Sequence, residues 1–140
     1  LRGELEQQVE RLGLQDRVRF LGFISESDLP ATYAAADVSI VPSSALEGFG
    51  LISLESLACG TPVLVTPVGG LPDTVRGLSG DLVLKGTSSD HISDGLRGWL
   101  DGSLKLPTRE ECREHVMRGF TWESITKRVC EVYQKAGWRP

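Results

Sequence analysis

Two glutamates, Glu47 and Glu55, stand eight positions apart and bracket the turn Gly48-Phe49-Gly50. At neutral pH a carboxylate only accepts hydrogen bonds, so such a pair suits a ligand rich in hydroxyls. A glycine turn that opens a helix exposes main-chain N–H groups at the positive end of the helix dipole, where a phosphate can sit. A sugar carrying a phosphate offers both chemistries, and a nucleotide-sugar is the ligand this pattern implies. The turn is not a dinucleotide fingerprint, because Ser53 stands where the third glycine would fall, and the Lys-Ser/Thr ending of a P-loop is missing.

Glu55 carries a second expectation. In a helix from Leu51, the positions Leu51, Leu54, Glu55 and Ala58 share one face at i, i+3, i+4 and i+7, which predicts an inward stripe. A carboxylate there needs a partner, either a ligand or a neighbouring amide or base. Glu47 taken alone is a solvated loop acid. Gly69-Gly70 is a second glycine loop that reads equally as a turn before a helix or as a ligand-facing surface. Ile24 packs against a base or belongs to the core. His91 and His115 fall in peripheral helices and read as solvated bystanders. Trp99, Trp122 and Trp138 are too scattered for a stacking platform and suit core or interface packing.

The elements that must position these residues follow from periodicity and punctuation. A helical stripe through Leu1, Leu5, Val9 and Leu12 runs to Gly13, and a short strand is expected over 18–22. Ser25 and Asp28 resemble a capping box for a helix through Leu29, Tyr33 and Ala36, with Pro30 in its first turn. Val38–Val41 and Pro62–Thr66 are near-continuous apolar runs, the pattern of parallel strands covered on both faces. Between them lies the Leu51–Ala58 helix, stopped by Gly60. A short helix over Leu71–Val75, a third strand over Asp81–Leu84 and a helix over Ser89–Leu100 follow. Thr108 with Glu111 predicts a capping box for a helix to Arg118. Thr121 caps the last helix, Phe120 is placed to staple onto Ile125, and Ile125, Val129, Val132 and Tyr133 form its apolar face.

Alternating strands and helices predict an α/β fold, a doubly wound parallel sheet of Rossmann-like type. In such sheets ligands bind outside the carboxyl ends of the strands. The loops after Gly22, Val41 and Thr66 all leave strands at that edge.

The 140 residues suffice for one domain with a core. With 40% hydrophobic and 24% charged residues and a net charge of −4, the chain has a globular composition and no basic footprint for nucleic acid. No run approaches the ~20 apolar residues of a membrane span, and no signal peptide is visible. Cys59, Cys112 and Cys130 are odd in number and widely spaced, which suits a reducing cytoplasm better than disulfides or zinc. The stripe that begins at residue 1 without a cap suggests a piece cut just inside a helix.

The text VRFLGFIS, the pattern from Asp28 to Asp37, and VPSSALEGFGLISLESLACGTPVLVTPVGGLPD together resemble the donor-binding half of GT-B-fold retaining glycosyltransferases of the group 1 class (family 4). FTWESI near the end extends the resemblance over nearly the whole chain. It implies that residues 1–140 are a nucleotide-sugar donor-binding domain, with the acceptor domain and first strands absent. It also implies transfer with retention of anomeric configuration and without a metal or other cofactor. Carried over by position, Glu47 contacts donor-sugar hydroxyls and is the catalytic candidate. Gly48, Phe49 and Gly50 bring amides to the sugar, Gly50 and Leu51 to the distal phosphate. Glu55 holds the ribose hydroxyls, and Ile24 meets the base.

The resemblance further implies a sugar or lipid-linked acceptor, with peripheral association at the inner face of a membrane. The Arg and Lys that clamp the diphosphate in this family would precede the opening helix, so the 140 residues alone are expected to bind donor weakly and transfer nothing. Asp73 replaces the glutamate usual after the Gly-Gly-x-Pro turn. The alternative is a non-catalytic sugar-nucleotide-binding or interaction module. A receiver-type signalling domain fits worse, lacking an acidic cluster and a strand-end lysine.

Overall fold

The computed structural model describes residues 1–138. Its centre is a parallel pair of short strands, β1 (Ser39–Val41) and β2 (Val63–Val65), in register Ser39↔Val63, Ile40↔Leu64 and Val41↔Val65. The crossover between them is helix α3 (Leu51–Ala58). β2 is wholly buried and consists of Val63, Leu64 and Val65. Burying each such side chain stabilises the fold by about 1.5–3 kcal/mol. Leu57 of α3, Leu71, Val75, Leu82 and Cys112 complete the enclosed core.

The third predicted strand is corrected. Gly80–Leu82 forms a single 3₁₀ turn, with the Ser79 hydroxyl accepting from the Asp81 amide. Only Val83 then extends the sheet, through a parallel bridge to Val65, and Leu84 donates to the Val65 carbonyl at 2.8 Å. The expected strand over 18–22 is absent. Val18 and Leu21 are exposed, and no partner strand among the described residues satisfies the main-chain groups there.

The helices largely follow expectation. They are α1 (Arg2–Arg11), α2 (Leu29–Ala34), α4 (Leu71–Val75), α5 (Ser89–Leu100), α6 (Arg109–Gly119) and α7 (Trp122–Lys135). The Ser25–Asp28 pair forms in part: the Asp28 amide donates to Ser25 Oγ at 3.2 Å, while that hydroxyl donates to the Asp28 carboxylate at 2.7 Å. Thr108 and Glu111 make a complete capping box, and Thr121 accepts from the Ser124 amide.

Helix α6 packs on α3 and ties down its neighbours. Arg109 spans the Ala34 and Ala36 carbonyls at 3.1 Å each, and Arg113 donates to the Cys59 carbonyl at 3.0 Å. Cations at helix C-termini are favourable, so one helix secures the ends of both α2 and α3.

Several apolar side chains stay outside the core. α1 buries none of its stripe, and none of the three tryptophans enters the core among the described residues: Trp122 and Trp138 are exposed and Trp99 is half-buried. The apolar face of α7 likewise leaves Val129, Val132 and Tyr133 exposed. No helix among the described residues is long and apolar enough to cross a membrane.

Candidate functional site

The loop from Pro42 to Gly50 leaves the carboxyl end of β1, the edge where this class of sheet places ligands. Thr66, at the end of β2, donates to the Ser43 carbonyl at 2.6 Å and so fixes the start of the loop. Leu46, fully exposed, is the one described non-glycine residue with a left-handed backbone (φ 58°). That conformation costs roughly 1–2 kcal/mol. It turns the chain immediately before Glu47. The Glu47 side chain is half-buried and receives a hydrogen bond from Ser43 Oγ at 3.0 Å on Oε2.

The two glycine loops are packed against each other. The Gly70 amide donates to the Gly48 carbonyl at 3.0 Å, and a methyl at Gly69 would overlap the Glu47 carbonyl oxygen. Gly69-Gly70 therefore backs the Glu47–Phe49 segment, which explains two successive glycines on packing grounds. Gly50 caps α3 in the left-handed region (φ 87°), and a Cβ there would lie 2.5 Å from Leu71. No side chain caps this helix start, and the first turn leaves main-chain donors without intrahelical acceptors. The Ser53 amide turns back to the Gly50 carbonyl at 3.0 Å.

The face expected of α3 is corrected here. The buried positions are Ser53, Leu54, Ser56 and Leu57, whereas Leu51, Glu55 and Ala58 are exposed. The reason is polar satisfaction. Ser53 Oγ lies 2.6 Å from the Gly50 carbonyl and 2.7 Å from Thr74 Oγ1, whose own proton goes to the Leu71 carbonyl at 2.7 Å. Ser56 Oγ sits 2.6 Å from Ser39 Oγ and 2.9 Å from the Thr61 carbonyl. With their hydroxyls bonded, small serines enter the core and let α3 approach the sheet closely.

Glu55 is thus an accessible carboxylate. Its one hydrogen bond among the described residues comes from Tyr33 Oη on α2, at 3.1 Å to Oε2. Burial, followed by the adjoining Glu55 carboxylate, pushes the Tyr33 hydroxyl up to about 12, so it remains a donor across the physiological range.

The structure brings Glu47, Gly48, Phe49 and Gly50 together with Gly69, Gly70 and Leu71. Phe49 also faces Phe120, with ring centroids 6.2 Å apart. Glu55 lies just over one turn into α3, about 7.5 Å along its axis from Gly50. No hydrogen bond or described hollow joins Glu47 to Glu55 or to the half-buried Ile24.

His115 is not a bystander: its ring Nε2 is 2.8 Å from the Thr74 carbonyl and it packs beside Phe120. His91 stays local, bonded to Ser88. No cluster of His, Cys, Asp or Glu suited to a metal occurs among the described residues. Tyr33 and Ser43 are the partners that sequence reasoning missed. Ser43 has a local signal, four residues before Glu47, but Tyr33 is 22 residues from Glu55 and has none.

The model of the family "Glycosyl transferases group 1" matches residues 2–117, which include Ile24, Tyr33, both glycine loops and both glutamates. The chain belongs to that family. A D-inositol 3-phosphate glycosyltransferase of Catenulispora acidiphila is 37% identical over 134 residues, covering 94% of this chain and 31% of that protein. Sucrose-phosphate synthase from Thermosynechococcus elongatus superimposes with a TM-score of 0.76 at 34% identity, covering 96% of this chain and 34% of the other.

HepE of Anabaena, crystallised with UDP, gives a TM-score of 0.79 at 28% identity, covering 95% and 36% of the two chains. The group 1 domain described here spans about a third of the length of these relatives. Its parallel α/β architecture is that of the Rossmann-like C-terminal half of a GT-B glycosyltransferase.

Proposed function

We propose that this domain binds the nucleoside diphosphate sugar of a retaining glycosyltransferase whose acceptor is held by a partner domain. The observation that carries this reading is the start of α3: a first turn with no side-chain cap, entered through left-handed Gly50 three residues after Glu47. The HepE crystals with UDP and UDP-glucose add weight, since that protein shares this fold at 28% identity.

In this reading the Glu47 carboxylate accepts from donor-sugar hydroxyls through the oxygen that Ser43 leaves free. Main-chain amides from Gly48 to Leu51 meet the sugar and distal phosphate. Glu55 accepts from the ribose, and Ile24 borders the base. When the C1–O bond to the diphosphate breaks, negative charge grows on the departing oxygens, and fixed helix-end amides stabilise it without reorganising. No metal or other cofactor takes part. The acceptor is a sugar or a lipid-linked sugar, and the whole enzyme works in the cytoplasm or at the inner face of a membrane.

The test is a calorimetric or ligand-detected NMR titration of UDP and UDP-glucose into the wild-type chain and a Glu55→Ala variant. Wild-type binding that falls about tenfold or more in the variant is expected, since a charge-assisted hydrogen bond is removed. Equal binding by both proteins would remove Glu55 from the site. Sugar transfer catalysed by these 140 residues alone would refute the need for a partner domain.

A further inference from the structure

Glu55 is held by a residue on another helix, and that contact has a use. We propose that Tyr33 is a positioning residue for Glu55: its hydroxyl fixes one carboxylate oxygen so that the other is presented to the vicinal hydroxyls of a ribose. This rests on the donor-binding reading above and assigns a determinant of how that site selects its ligand.

Tyr33 is well placed for the task because its own backbone is anchored. Its carbonyl accepts from Thr61 Oγ1 at 2.7 Å, and the following carbonyls of Ala34 and Ala36 are held by Arg109. α2 also packs against α3, so the phenol projects from a secured base. Its single O–H proton goes to Glu55 Oε2 at 3.1 Å, while Oε1 receives no hydrogen bond from any described residue.

An exposed glutamate otherwise samples many rotamers, and ordering it on binding costs entropy. A partner already bonded to one oxygen removes much of that cost in advance. Glu47 obtains similar support from Ser43 on its own loop. Glu55 obtains it only through the tertiary fold.

The test compares UDP with 2′,3′-dideoxy-UDP on wild type, Tyr33→Phe and Glu55→Ala. Tyr33→Phe keeps the ring and its packing while deleting the proton donor. The expected result is a loss of roughly three- to tenfold in UDP affinity with no change for the dideoxy compound. Equal losses for both nucleotides would make Tyr33 a packing residue only and overturn the proposal. An unchanged UDP affinity in Tyr33→Phe, alongside a loss in Glu55→Ala, would overturn the positioning role while leaving the donor site standing. If UDP fails to bind wild type, or binds Glu55→Ala equally, the donor-site reading fails and takes this inference with it.

Discussion

Replacing Gly69 with alanine tests whether the two glycine loops really brace each other. Gly69 has φ 52°, and a left-handed alanine costs roughly 1–2 kcal/mol. The new methyl would overlap the Glu47 carbonyl oxygen, a main-chain atom that cannot rotate aside. The loops must then part, which loosens the 3.0 Å bond from the Gly70 amide to the Gly48 carbonyl, worth about 1 kcal/mol. Alanine restricts the unfolded chain and returns about 0.4–1 kcal/mol. The net destabilisation is about 2 kcal/mol, or roughly 6–10 °C in Tm for a domain of this size.

Gly48→Ala is the control, because a Cβ there meets nothing within 4 Å and its φ is not left-handed. Its Tm should match wild type, while its affinity for UDP-glucose falls if the sugar lies against that backbone. Thermal melts followed by circular dichroism decide the first point and titrations the second. Should Gly69→Ala melt with Gly48→Ala, the packing argument for the glycine pair is wrong.

Other expectations are simpler to check. In an ultraviolet pH titration of the native protein, Tyr33 should ionise only near pH 12; Glu55→Ala lowers that midpoint but leaves it above the ordinary 10, because burial is the larger cause. Since the folded value is the raised one, the stability this group contributes is complete below about pH 10 and is lost as pH climbs through 12. Burial also pushes the Cys112 thiol up to about 11, so iodoacetamide at pH 8 should label exposed Cys130 first and Cys112 only on unfolding, as peptide mapping would show. Thr108→Ala deletes half of a complete capping box and should lower Tm by a few degrees at pH 7. The hydrogen bonds from Thr108 hold the Glu111 carboxyl below its ordinary value, so that deficit should shrink as acid protonates it, measured by melts across pH 3–7.

Local chemistry was legible in the sequence wherever a few neighbouring residues decide the outcome. The Thr108–Glu111 box and the Thr121 cap depend on side chains within a turn of each other, and the helix opening after Gly50 depends on a glycine free to take a left-handed φ. Strands β1 and β2 could be read from their apolar runs, and with them the loop that carries Glu47. Sequence text also sufficed for the family, because the acids and glycines of that loop are spaced as its chemistry requires.

Tertiary structure alone decided which way α3 faces. Hydrophobic periodicity treats serine as outward, yet Ser53 and Ser56 are buried because their hydroxyls are hydrogen-bonded among Gly50, Thr74, Ser39 and Thr61. That rotation of the helix turned Glu55 from a presumed core acid into an accessible one, met by Tyr33. Strand formation over 18–22 and 81–84 was likewise undecidable locally. A strand exists only where a neighbour completes its ladder, and β2 offers Val83 a single bridge.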